Sequence, residues 1–234
     1  MKTVLTIARR EASSFFQSPM AYIVIALFLL INAIFFFPTF FIFDRAELRG
    51  FFQLLPLFFS FFLPAVTMRM LSEEFKSGTI ETLITLPAGA EKIIAGKYLA
   101  ALGILGGLLA PTLLYLLLIA PAGDIDPGPV FGGYLGAFFL GAAYTAVGLF
   151  ASSRTGNQIV AFVTALSVCL VLTFMDSFMV FLPPFLVGVL EYFSAGYHFE
   201  TIARGILDSR AFVYFISLSL VFLIGAVRGV EARR

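Results

Sequence analysis

Six predominantly apolar runs constrain this chain more than any other feature. They cover residues 21–43, 51–68, 98–119, 130–151, 159–175 and 211–227. A bilayer core about 30 Å thick is crossed by roughly 20 apolar residues in an α-helix, which satisfies its backbone polar groups internally. The pattern therefore predicts an all-α polytopic membrane protein, one transmembrane domain over residues 1–234 with six spans, of which 159–175 is the shortest. Hydrophobic residues make up 60% of the chain and charged residues 12%, far from the balance of soluble domains.

Before the first run, residues 1–18 read as an amphipathic helix lying at the membrane interface. Val4, Leu5, Ile7, Ala8, Ala12, Phe15 and Phe16 share one side, and Lys2, Thr6, Arg9, Arg10, Ser13 and Gln17 the other. Ser18-Pro19 ends it, because Pro19 has no amide hydrogen and suits a first helical position. The apolar run that follows is too long for a signal h-region and has no small-x-small site close behind it, so the first span is expected to stay in the mature protein.

Lys and Arg placement sets the orientation. With a cytoplasmic N-terminus, eleven basic residues fall inside and four outside (Arg45, Arg49, Arg204 and Arg210). Both termini, the polar segment 69–97 and the turn at 152–158 then face the cytoplasm. The segment 176–210 faces outward. Its apolar stretch is interrupted by Pro183-Pro184 and followed by Glu191, which reads as a re-entrant or interfacial pair of helices. Gly133, Ala137, Gly141, Thr145, Gly148 and Ser152 recur on one face of the fourth span and favour close helix packing, as do Gly103 and Gly107 in the third. The phenylalanines of 35–62 read as a mutually packed or lipid-facing cluster.

A search for chemistry finds no catalytic set. Gly89 to Tyr98 lacks the G-x-x-x-x-G-K-[ST] spacing of a phosphate loop, and Asp124 and Asp126 lack the distal Glu of a calcium loop. Cys169 is single and sits in an apolar run, so no disulfide within the chain and no Cys/His metal spacing arise. His198 reads as a surface residue of a connecting segment. Net charge is +1, with no basic tract for nucleic acid. No cofactor or metal is expected on this chain. Deep ionisable groups are scarce, with Asn32 and a few hydroxyls in their place, which argues against a carrier that works alone.

The segment 69–97 is the expected docking region. A polar helical turn over 71–76, carrying Glu73, Glu74 and Lys76, stops at Gly78, the residue best suited to a left-handed cap. Thr79 can cap a new short helix with Glu81 in its first turn, and Pro87 closes it. Ile80, Leu83 and Ile84 give that helix an apolar side, but two turns are not stable alone in water. It must pack on its own membrane domain or in a partner's groove.

Glu74, Gly78-Thr79, Glu81, Leu83, Pro87 and Gly96-Lys97 stand in the order found in permeases of the ABC-2 exporter family, between their second and third spans. With Ser18-Pro19, Ala142-Ala143-Tyr144-Thr145, the run Asn157 to Phe162 and the run Gly205 to Arg210, the chain resembles most the gliding-motility-associated ABC permease branch. The resemblance implies a half-transporter in a bacterial plasma (inner) membrane, paired with a second permease chain as a homodimer or heterodimer. Catalysis would belong to a separate ABC ATPase subunit that holds ATP and Mg²⁺. Residues 71–91 would form the coupling segment, with Gly78, Thr79, Ile80, Glu81, Leu83, Ile84 and Pro87 contacting the ATPase. Glu73, Glu74 and Lys76 would be inner-gate or interface charges, and Arg9, Arg10, Phe15 and Phe16 would belong to the interfacial helix. Pro183, Pro184 and Glu191 would restrict the outer exit, where a periplasmic or extracellular partner has room to dock. A force-transmitting membrane component that moves no substrate is the alternative.

Overall fold

In a computed structural model the described residues are 2–43, 48–79, 89–123, 126–178 and 184–232, and these form helices without strands. In chain order they are α1 (Lys2–Gln17), α2 (Pro19–Phe43), α3 (Arg49–Thr67), α4 (Arg69–Ser77), α5 (Ala90–Leu109) and α6 (Leu113–Ile119). Then come α7 (Pro127–Arg154), α8 (Gln158–Phe174), α9 (Pro184–Phe193), α10 (Ala195–Ala203) and α11 (Ser209–Glu231).

The helix α7 is the axis of the bundle, and its small residues explain why. At Gly133 an added Cβ would overlap the Phe52 ring of α3, and at Gly141 it would lie 2.6 Å from Leu105 of α5. At Gly148 it would overlap Thr67 of α3. The small-residue face thus packs within the chain. Around it, α3 supplies Phe51, Phe52, Phe58 and Phe59 to a core that also takes Phe28 and Phe36 from α2 and Tyr144 from α7. Edge-to-face rings such as Phe52 with Tyr134, 5.3 Å apart at 89°, give much of this aromatic cluster a fixed geometry.

Toward the outside, α2 exposes Tyr22, Ile23, Leu27, Leu30 and Ile34, and α11 exposes Val213, Ile216, Leu220, Val221 and Ile224. Apolar faces of this extent need a non-aqueous solvent. Among the described residues five helical runs are long and apolar enough to cross a membrane: Pro19–Pro38, Arg49–Ser77, Ala90–Ile119, Pro127–Arg154 and Ser209–Glu231. The sixth expected span, α8, is a shorter apolar helix of 17 residues, about 25 Å long at 1.5 Å per residue.

Several expectations need correction. The third span was expected from Tyr98, but its helix begins eight residues earlier at Ala90, since nothing between Gly89 and Tyr98 breaks a helix. It is also interrupted by a 3₁₀ turn, Ala110–Thr112, around Pro111, whereas Pro38, Pro56 and Pro64 are accommodated inside helices. Leu5, placed on the apolar side of α1, is 60% exposed. His198 is buried rather than superficial: its ring stacks on Tyr214 at 4.4 Å and Nε2 lies 3.1 Å from the Tyr192 carbonyl. The segment around it forms α9 and α10, joined at the buried Ser194, which caps the Tyr197 amide.

Candidate functional site

At the end of the bundle that holds both α1 and the last turn of α11, three helices meet on one ammonium group. Lys97 of α5 is 1% exposed. Its Nζ donates to Glu74 Oε1 of α4 at 2.7 Å, to the Met70 carbonyl at 2.7 Å and to Glu11 Oε1 of α1 at 3.3 Å. Three donors meet three acceptors, so the ammonium is saturated. A cation this deeply buried persists only when paired in this way. Glu74 itself is not fully served, because Oε2 is buried without a hydrogen-bond partner among the described residues.

The backbone brings these groups together by close approach. Gly96 precedes Lys97, and a Cβ there would lie 2.8 Å from the Ile7 side chain and 3.1 Å from the Val4 carbonyl. A second contact, Phe16 over Gly107, lies 2.7 Å from where a Cβ would be. The helix α1 therefore runs alongside α5 from Gly96 to Gly107, and Glu11 completes its inward stripe at helical spacing from Val4, Ile7 and Ala8.

The helix α4 is held from a second side by Ser152, near the end of α7. Its hydroxyl accepts from the Leu71 and Ser72 amides, both at 3.0 Å, and donates to the Met68 carbonyl at 3.0 Å. The first-turn amides of a helix have no partner within it, and here another helix provides one. Ser72 Oγ also donates to the Met68 carbonyl. At its far end α4 stops at Gly78 with φ 73°, the left-handed cap expected from the sequence, and the Ser77 and Thr79 hydroxyls lie 2.8 Å apart.

Other expected site residues separate into distinct environments. Glu73 and Arg69 form an exposed i,i+4 pair at 3.4 Å, and Arg69 Nη1 lies 2.7 Å from Met20 Sδ. Lys76, Arg9 and Arg10 are exposed, with Arg10 3.6 Å from Glu11. Phe15 and Phe16 are half-buried and meet edge to face at 5.5 Å. Ile80, Glu81, Leu83, Ile84 and Pro87 lie outside the described residues, as does Pro183. Pro184 opens α9 and Glu191 lies within it, at the opposite end of the bundle.

Two participants were missing from the sequence reading as site residues, Glu11 and Ser152, and Lys97 was counted only as an orienting charge and a motif position. Glu11 was legible as the one carboxylate in α1, seven positions after Val4. Ser152 was read only as the last of a row of small residues.

The family model for ABC-2 family transporter protein matches residues 5–218. The chain belongs to the ABC-2 transporter family. It is a multi-pass membrane protein and a permease component of an ABC transporter. A comparison with curated protein sequences finds no match. In this permease the match takes in α1 from Leu5 onward, the charged junction and the first part of α11, to residue 218.

Proposed function

We propose that this permease couples ATP hydrolysis on a separate ABC ATPase subunit to export of a substrate, working as a half-transporter with a second permease chain. The observation that carries the reading is Lys97, which ties α1 and α4 to the first turns of the same long helix through Glu11 and Glu74. An ATPase pressing on the expected coupling helix, residues 80–86, would push on α4 through Gly78, and the buried ion cluster passes that displacement to α5 and α1 together. The excess of Lys and Arg at the end holding both termini supports a cytoplasmic face there, in a bacterial plasma membrane. ATP and Mg²⁺ belong to the partner. The resemblance to the gliding-motility-associated branch favours an exporter of that group.

The test is a reconstituted complex. Leu83→Asp is expected to weaken co-purification with the ATPase and to remove permease-stimulated hydrolysis, leaving the unfolding midpoint of the membrane domain unchanged. Complex formation and hydrolysis equal to wild type would overturn the coupling role. Hydrolysis with no directional movement of any member of a broad substrate panel would favour a force-transmitting role instead.

A further inference from the structure

The end of the bundle opposite the charged junction holds a cavity of about 750 Å³, walled by the first turns of α3 and α7, the last turn of α8, and α10. That volume is in the range of sites for small ligands, roughly 300–1,000 Å³. Phe52 and Phe199, both buried, line its depth beside Thr173.

The Thr173 hydroxyl has no hydrogen left to give. Ser60 donates to the Pro56 carbonyl at 2.8 Å, so Ser60 Oγ must accept from Thr173 at 2.9 Å, and Thr173 accepts in turn from Tyr144 at 2.6 Å. A ligand reaching this depth therefore meets apolar surface and a hydroxyl chain whose protons are all committed.

The lining charges stand at helix ends. Glu200 and Arg204 neutralise each other as an ion pair. That leaves one cation, Arg49, and two carboxylates, Asp126 and Asp176. Among the described residues none of these three forms an ion pair. Asp126 accepts from the Gly128 amide at 3.0 Å and Asp176 from the Ser177 amide at 2.9 Å. Two carboxylates repel a purely anionic head, and Arg49 repels a purely cationic one. Because α3, α7 and α8 begin or end here, the charged lining lies at the level where lipid head groups sit.

We propose that this cavity binds a zwitterionic amphiphile, with its ammonium group between Asp126 and Asp176, its anionic group toward Arg49 and its chain against Phe52 and Phe199. The proposal goes beyond the coupling role and does not rest on it.

The absence of tryptophan from the chain provides the assay. Phe174→Trp places one fluorophore on the cavity wall, at a position 40% exposed, and Ile159→Trp places a control at the other end of α8, at a position 72% exposed. The permease in nanodiscs is titrated with dihexanoylphosphatidylethanolamine, with dihexanoylphosphatidylglycerol and with chainless glycerophosphoethanolamine. The expected result is a saturable fluorescence shift for the zwitterionic lipid in the Phe174→Trp protein and none in the control, with the other two compounds at least tenfold weaker. Asp176→Asn and Arg49→Gln, each in the Phe174→Trp background and with an unchanged unfolding midpoint, are expected to raise Kd about tenfold, the value of one charge-assisted contact. No saturable shift, equal binding of the anionic lipid or of the chainless head, or unchanged Kd in both variants would each overturn the proposal. No ATPase is present, so the outcome bears on the cavity alone.

Discussion

At the junction of α1, α4 and α5 a single buried ammonium is held by three acceptors, whereas at the opposite end of the bundle Arg49, Asp126 and Asp176 line one cavity without pairing to each other. The difference follows from water. Lys97 is cut off from solvent and must be compensated by its protein partners, which turns a charge into a mechanical tie between helices. The cavity residues keep solvent beside them, so their charges stay available to a ligand. One end is built to hold itself together, and the other to hold something else.

The sharpest way to break this contrast is Lys97→Met. It leaves the half-buried Glu74 without its ion partner and Glu11 with only the exposed Arg10, and is expected to cost about 3–5 kcal/mol, measured as a fall in the thermal unfolding midpoint of the purified permease. Adding Glu74→Gln should restore part of that loss. A midpoint unchanged in Lys97→Met would make the junction no more than a surface ion pair.

A smaller effect is expected from Ser152→Ala. It strips the Leu71 and Ser72 amides of their acceptor, at about 1–3 kcal/mol, and hydrogen exchange should accelerate at those two amides before it does in α7. Smaller still are Glu73→Ala and Asp176→Asn. The first removes an exposed pair with Arg69, the second a charge with no ion partner among the described residues, and each should shift stability by less than about 0.5 kcal/mol. If Asp176→Asn destabilised as much as Lys97→Met, the cavity charges would be structural and the contrast would disappear.

Most of the fold could be read from the sequence because helix length, apolar content and breakers are local properties. The polar turn read over 71–76 and its Gly78 cap are found as α4, which is longer at both ends, Arg69–Ser77. The junction was harder, since Glu11 and Lys97 stand 86 positions apart and no periodicity links them. The signals that could have pointed there are Gly96, a glycine where a close contact needs one, and Glu11, a carboxylate in line with Val4 and Ile7. His198 was misplaced for a related reason: its burial comes from Tyr214 on α11, which local sequence does not reveal. The ATPase contacts expected at Gly78, Thr79, Ile80, Glu81, Leu83, Ile84 and Pro87 rest on the family resemblance, and all but Gly78 and Thr79 lie outside the described residues.

The seating of α1 is fixed twice over, by Ile7 against Gly96 and by Glu11 against Lys97. Inserting one alanine between residues 7 and 11 would change neither the hydrophobicity nor the charge of the chain. It would, however, turn the carboxylate by about 100° around its helix relative to the isoleucine, so that only one of the two contacts could form at a time. The N-terminal helix thus behaves as a key with two teeth: the membrane domain checks its phase as well as its amphipathic character.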